Sequence, residues 1–272
     1  MIISYKMTSP LVITYDNAPT ENTKLFLRTL EKHKWNYKLI GEGEVWQGFI
    51  TRLNGYANYV KTLDPNQLII LSDARDVVCL RGPKAFTKGF ESFNRDLVVS
   101  AELLMGGQFN PPMDFVCFQA VHLTEYWSKH NISPLPDRKF VNGGLVAGKA
   151  SAVLNWLQWS IDNKFTDDQL ALGNYMNNFP QRCGIDTSAI LLHTTVFGVN
   201  AGIQSIHLQK IDSPTFAELF GRGAFFLHIP GCHMKGQAIV YNYVKTMIEA
   251  GACDATLSEP YKYKEPEWDE VF

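Results

Sequence analysis

The sequence predicts an α/β protein with a mostly parallel central sheet, flanked by helices in a Rossmann-like manner. Three observations carry this. Short apolar runs alternate along the chain with segments of helical period. One of them, Leu68-Ile69-Ile70-Leu71, is apolar at every position, as expected of a strand covered on both faces. The chain has 272 residues, 46% apolar and 19% charged, which is enough to bury a core without disulfide or metal staples.

The elements follow in order. Residues 11–15 read as a buried strand ending at Asp16. Residues 20–33 place Leu25, Phe26, Leu27 and Leu30 on one broad helical face, with Thr20 or Asn22 as the cap. A second strand, 37–40, closes at Gly41. A helix fits 48–63, where Phe49, Ile50, Leu53, Tyr56, Ala57, Val60 and Leu63 recur at helical spacing. After the strand at 68–71, Gly82-Pro83 opens a helix carrying Phe86 and Phe90, and 97–99 is a further strand. This β-α-β-α-β-α-β rhythm is that of parallel strands joined by crossover helices.

Residues 103–138, with Gly106-Gly107 and Pro111-Pro112, read as an irregular active-site loop. Strand-like residues 140–141 and 145–147 then flank a turn at Asn142-Gly143-Gly144. Helices fit 151–161 and 167–179, short strands fit the neighbourhood of Ile185, 190–192 and 225–227, and a last helix fits 237–249. No repeat, low-complexity tract or linker divides the chain. Residues 1–258 therefore read as one domain, and 259–272 as a polar and aromatic tail.

Several classes drop out. A net charge of −2 and a pI of 6.4 lack the basic surplus of a general nucleic-acid binder. The five cysteines form no C-x-x-C pair, so buried free thiols are expected rather than disulfides or a zinc knot. Lys6, Ser9 and Pro10 interrupt the first residues, and no window reaches the ~18 apolar residues of a membrane span. The expectation is a cytoplasmic-type chain without signal peptide or anchor. Gly41-Glu42-Gly43 lacks the third glycine of a dinucleotide loop, and no P-loop, H-E-x-x-H or G-x-S-x-G is present.

Candidate chemistry gathers at strand ends. Asp73 and Asp76 follow the most apolar strand, on the rim where open α/β sheets bind ligands. Only a turn after Asp73 brings both carboxylates together, the geometry of a hard divalent-cation site. The alternative is that Asp73 caps the next element while Asp76 pairs with Arg75 or Arg81. His228 leaves an apolar run into a glycine turn, either as a nitrogen ligand or as a packed imidazole. Asp167-Asp168 opens a helix, where acidic residues are favoured by the dipole alone.

Each signal is common, but their order is specific. Asp-x-x-Asp after a strand, Ser100-Ala101-Glu102, Asn142-Gly143-Gly144, Asp167-Asp168-Gln169-Leu170 and a late His-x-x-Gly resemble the glycosyltransferase domain of the procollagen lysyl hydroxylases. The resemblance runs from about residue 12 to 245 by this ordering. It implies a GT-A fold, a UDP-sugar donor, and Mn²⁺ (or Mg²⁺) held by Asp73, Asp76 and His228. Thr14, Tyr15 and Asp16 match the family's nucleotide-contacting segment, and Tyr59 stands for a tryptophan of the nucleotide-side helix. Ala74 and Arg75 are implied at ribose or uracil, and Gly231 and Lys235 at the β-phosphate. Asp167 and Asp168 match the acidic pair near sugar and acceptor, with Asn142, Gln169 and Glu102 beside them.

The chain departs from that pattern at three places. Gly106 stands where the family has a tryptophan closing over the site, Gly143 replaces a serine, and Met234 displaces the expected lysine to Lys235. The resemblance implies a hexosyltransferase acting on a hydroxyl, such as galactosyl-hydroxylysine of a collagen-like polypeptide, with UDP-glucose as the default donor. The second reading is a UDP-sugar-binding module that no longer transfers. A phosphohydrolase would call for an Asp-x-Asp arrangement with a downstream lysine, which is absent.

Overall fold

The computed structural model describes residues 9–102, 123–136, 138–194, 224–230 and 245. The expected alternation of strands and helices is present. Strands β1 (Leu11–Tyr15), β2 (Asn36–Ile40) and β3 (Leu68–Ser72) are linked by helices α1 (Glu21–Lys32) and α2 (Phe49–Val60). Then come β4 (Val77–Cys79), α3 (Phe86–Ser92), β5 (Leu97–Glu102), α4 (Thr124–His130), β6 (Phe140–Lys149), α5 (Ala150–Asp162) and α6 (Asp168–Asn178). The described chain closes with β7 (Cys183–Asp186), β8 (Leu192–Thr194) and β9 (Phe226–His228). They form one mixed sheet, ordered β2-β1-β3-β6-β5-β8-β9-β4, with β7 beside β5. Five of its pairings are parallel; β6 runs against β3 and β5, and β4 against β9.

Successive side chains of a strand point to opposite faces, and the core divides accordingly. Ile13, Ile69, Leu71, Val99 and Val146 pack with Leu53 and Val60 of α2, Val153 and Leu157 of α5, and Leu172 of α6. Val12, Ile70, Val98, Leu145 and Ala147 pack instead with Phe26 and Leu30 of α1 and Phe86 and Phe90 of α3. The interiors of β1, β3, β5 and β6 are thus covered on both faces. At roughly 1.5–3 kcal/mol for each fully buried aliphatic or aromatic side chain, this burial is the main driving force for the sheet.

The local signals for α1 hold in detail. Thr20 caps it: its Oγ1 accepts from the Thr23 amide at 3.4 Å, and its own amide donates to Thr23 Oγ1 at 3.0 Å. Cys79 and Cys183 are buried free thiols, as expected. Among the described residues, no helix is long and apolar enough to cross a membrane.

Two expectations need correction. The Asn142-Gly143-Gly144 segment is not a turn between two strands, because Phe140–Lys149 is one continuous strand. Its antiparallel pairing to β5 jumps from Val99↔Val146 to Ser100↔Asn142, so the glycines form a bulge that keeps the strand intact. The 103–138 stretch is not wholly irregular either: α4 lies in it, and Tyr126 and Trp127 join the core. The helix expected at 237–249, Gly106, Gly231, Lys235 and the 259–272 tail lie outside the described residues apart from Lys245.

Candidate functional site

The carboxyl ends of β1 and β3 meet the bulge of β6 and the end of β9. At the end of β3 the Ser72 carbonyl accepts from Thr14 Oγ1 (2.9 Å) and the Tyr56 hydroxyl (3.0 Å), which ties β1 and α2 to the rim. The Asp73 amide then donates to the Gly144 carbonyl at 2.9 Å, and the chain bends through residues 73–76 into β4. This is the turn that the two carboxylates require. β4 pairs Val77 with His228, and the Ile229 amide donates to the Asp76 carbonyl at 2.8 Å. A sequence separation of some 150 residues is closed by that short ladder.

His228 is buried and faces both acids. Its Nε2 lies 3.4 Å from Asp73 Oδ2 and 3.5 Å from Asp76 Oδ1, and it makes no hydrogen bond. Its Nδ1 lies 2.9 Å from Asn142 Oδ1, an acceptor, so Nδ1 carries a proton and Nε2 faces the gap between the carboxylates, where the neutral ring directs its lone pair. Burial works against a charged imidazole. Asp76, Asp73 and Glu102 outweigh it and hold the His228 pKa above its ordinary value. One ligand atom from each of Asp73, Asp76 and His228 falls within 4.8 Å of the others. Two oxygens and one nitrogen around an orphaned buried nitrogen fit a divalent cation.

Gly144 makes this approach possible. A Cβ there would lie 2.2 Å from His228 Cε1 and 2.8 Å from Asp73 Oδ2. At Gly143 the nearest atoms, on Gln169, are 3.4 Å away, so the neighbouring position has room for a Cβ.

Behind the histidine runs a buried amide–acid chain. Asn142 Nδ2 approaches Glu102 Oε2 at 3.5 Å, Gln169 Nε2 donates to Glu102 Oε1 at 3.2 Å, and the Gly143 amide donates to Gln169 Oε1 at 3.1 Å. Burial pushes the Glu102 carboxyl up to about 7 despite His228, Asn142 and Gln169. Asp167 caps α6 by accepting from the Leu170 amide at 2.8 Å, while its Oδ2 is buried without a partner. Burial pushes this carboxyl up to about 6. Asp168 is likewise raised by burial, against the pull of Arg52.

Asp16 and Arg75 form a second pole. Arg75 grips Asp16 through Nη2 (2.6 Å to Oδ1) and Nε (3.2 Å to Oδ2), and Thr23 Oγ1 donates to Oδ2 at 2.5 Å. Burial opposes ionisation of Asp16, but these donors and the Ala18 amide win and lower its pKa. Arg75 thus pairs with Asp16, and the Arg81 guanidinium carbon lies 4.7 Å from the Phe225 ring centroid. Tyr15 donates to Glu44 Oε2 at 2.9 Å and sits 6.1 Å from the half-exposed Trp46 ring. Ala74 is buried in the bend. Tyr59 packs against the core on the α2 and α5 side, with no described contact to these carboxylates.

Sequence reasoning passed over two groups. Trp46 was silent because an isolated loop tryptophan has no partner in sequence. Arg52 lies in the first turn of α2, where the helix dipole disfavours a cation. That misplacement was the available signal that an acidic partner must face it. Its Nη1 donates to Asp73 Oδ1 and its Nη2 to Asp168 Oδ2.

A family model described as PLOD GT domain matches residues 6–188, a span that includes Asp73, Asp76, Asn142 and Asp168 and ends before His228. No curated protein matches the chain. Among solved structures, the chain is similar to a glycosyltransferase involved in the glycosylation of the major capsid of PBCV-1. That match has 13% identity and a TM-score of 0.48, and covers 88% of this chain and 100% of that one. It is also similar to the WbbM bifunctional glycosyltransferase, at 11% identity and a TM-score of 0.45, covering 84% of this chain and 46% of that one.

Proposed function

The chain belongs to the PLOD GT domain family of glycosyltransferases, and from that premise we propose that it moves a hexose from a UDP-sugar to a hydroxyl acceptor. The α/β sheet with helices on both faces agrees with the GT-A class of that family. The observation that carries the finer reading is the bare Nε2 of His228, buried between Asp73 and Asp76. An imidazole lone pair aimed between two carboxylates is repulsive unless a cation or a proton lies between them.

Asp73, Asp76 and His228 would hold Mn²⁺ or Mg²⁺, which supplies positive charge where the diphosphate leaving group develops its negative charge. The other roles belong to the chain itself. Asn142 orients His228 by accepting from its Nδ1. Thr14, Tyr15, Asp16, Ala74 and Arg75 line the nucleotide end, where Arg75 pre-orders Asp16 as an acceptor for ribose or base donors. Asp168, at the buried start of α6, presents its carboxylate to the sugar and to the incoming hydroxyl. Asp167 holds that turn in place by capping α6. The acceptor we favour is galactosyl-hydroxylysine in a collagen-like polypeptide, on the strength of the family alone.

The test is UDP release from a panel of UDP-glucose, UDP-galactose and UDP-N-acetylglucosamine, with and without Mn²⁺ and a collagen-like acceptor. Release from one donor that depends on Mn²⁺ and rises with acceptor supports transfer. Tight UDP binding with no turnover on any donor would instead make the chain a UDP-sugar-binding module.

A further inference from the structure

One guanidinium stands between two carboxylates of the site. Arg52 is mostly shielded from solvent, and its two terminal nitrogens go to different carboxylates, Asp73 and Asp168. The Phe49 ring supports it from one side, 5.0 Å from ring centroid to guanidinium carbon. The division of labour on Asp73 is the informative point. Arg52 takes Oδ1, while Oδ2 is the oxygen that faces His228 Nε2. The arginine therefore does not compete for the ligand oxygen; it sets the rotation of the carboxylate. Its second arm fixes Asp168 relative to the same point.

We propose that Arg52 is a positioning residue for the transfer reaction: its fork turns Asp73 Oδ2 towards the cation site and holds Asp168 at a set separation from it. The inference rests on the proposed function above. A planar fork can serve two carboxylates at once, whereas a lysine ammonium is a compact charge on a flexible stem. Position matters at this scale, since small misplacements of reacting groups cost about 100-fold in rate.

The experiment titrates metal-free protein with Mn²⁺ alone and measures UDP release from UDP-glucose, UDP-galactose and UDP-N-acetylglucosamine for native protein, Arg52→Lys and Arg52→Gln. Arg52→Gln releases Asp73 Oδ2 from its set orientation, so it binds Mn²⁺ about tenfold more weakly. Near-UV circular dichroism that matches native separates this loss from damaged folding. The UDP release of this variant falls by about 100-fold or more. Arg52→Lys keeps the charge, which preserves the fold and holds Mn²⁺ affinity within about twofold of native, but kcat falls at least about tenfold with the donor KM little changed. The inference is overturned if a native-like folded Arg52→Gln binds Mn²⁺ as tightly as native or more tightly, or if Arg52→Lys keeps the native kcat. Native protein that neither binds Mn²⁺ nor releases UDP overturns the functional reading, and this inference with it. Native protein that does both, beside unchanged variants, overturns the inference alone.

Discussion

Asn142 Oδ1 lies 2.9 Å from His228 Nδ1, and it also accepts from the Gly144 amide at 2.9 Å. The bulge of β6 thus decides the tautomer of a histidine 86 residues away. Replacing Asn142 by Leu removes the acceptor and frees the ring to rotate or protonate at the wrong nitrogen. Loss of such an outer partner typically weakens metal binding about 10–100-fold. Calorimetric titration of metal-free Asn142→Leu with Mn²⁺ checks this, and native-like affinity would remove Asn142 from the role given to it here.

The cation and a proton compete for His228. Burial alone would lower its pKa, but Asp76, Asp73 and Glu102 raise it above the ordinary 6.5 in the metal-free protein. The protonated ring therefore stabilises the metal-free fold below that ordinary value, and this contribution is lost as pH rises through the raised folded pKa. Metal binding needs the neutral ring, so Mn²⁺ affinity should climb with pH up to the raised pKa and then level off, with one proton released per metal bound at the lower pH. His228→Ala should bind weakly at every pH and show no such slope. A slope that survives in His228→Ala assigns the proton to another group.

Much of this was legible in the sequence, and the gaps have physical causes. The strands covered on both faces and the capped α1 are set by local pattern, because apolar runs and a Thr20–Thr23 capping box depend on neighbours in sequence. Asp73 and Asp76 stood out as a pair for the same reason. The β6 bulge did not, since Asn-Gly-Gly has the composition of a turn, and only its place between β3 and β5 forces it to stay extended. β4 was invisible as well: three residues carry no period, and its pairing to β9 spans 151 positions. Arg52 was missed because its two partners lie 21 and 116 residues away.

The two glycines of the bulge should respond very differently to a methyl group. Gly144→Ala drives a Cβ into His228 Cε1 and Nδ1, at 2.2 and 2.6 Å, so the imidazole must leave its place. Overpacking of this kind costs about 1–3 kcal/mol and should abolish measurable Mn²⁺ binding along with it. Gly143→Ala meets only contacts at 3.4 Å, and should change stability by less than about 1 kcal/mol and leave the cation site intact. Gly143→Ser, which restores the residue usual in the family, should behave like the alanine. Thermal melts and Mn²⁺ titrations of the three variants decide the matter; equal damage at both positions would mean that the bulge, rather than the histidine contact, is the sensitive feature.

Glu102 should make the metal-free fold less stable in alkali. Burial lifts its carboxyl from the ordinary 4.5 to about 7, even with His228, Asn142 and Gln169 pulling the other way. Between those two values the folded state holds a proton that the unfolded chain has lost. Stability therefore falls as pH rises through that window, and the full penalty is present above it. Glu102→Gln cannot ionise and should flatten this dependence. At pH 8 it should be more stable than native by about 1–3 kcal/mol, the difference shrinking to nothing at low pH. Urea unfolding in EDTA at several pH values measures this, and a native protein that gains stability on Glu102 ionisation, or parallel curves for both proteins, would show that the buried acid is compensated by its amide neighbours.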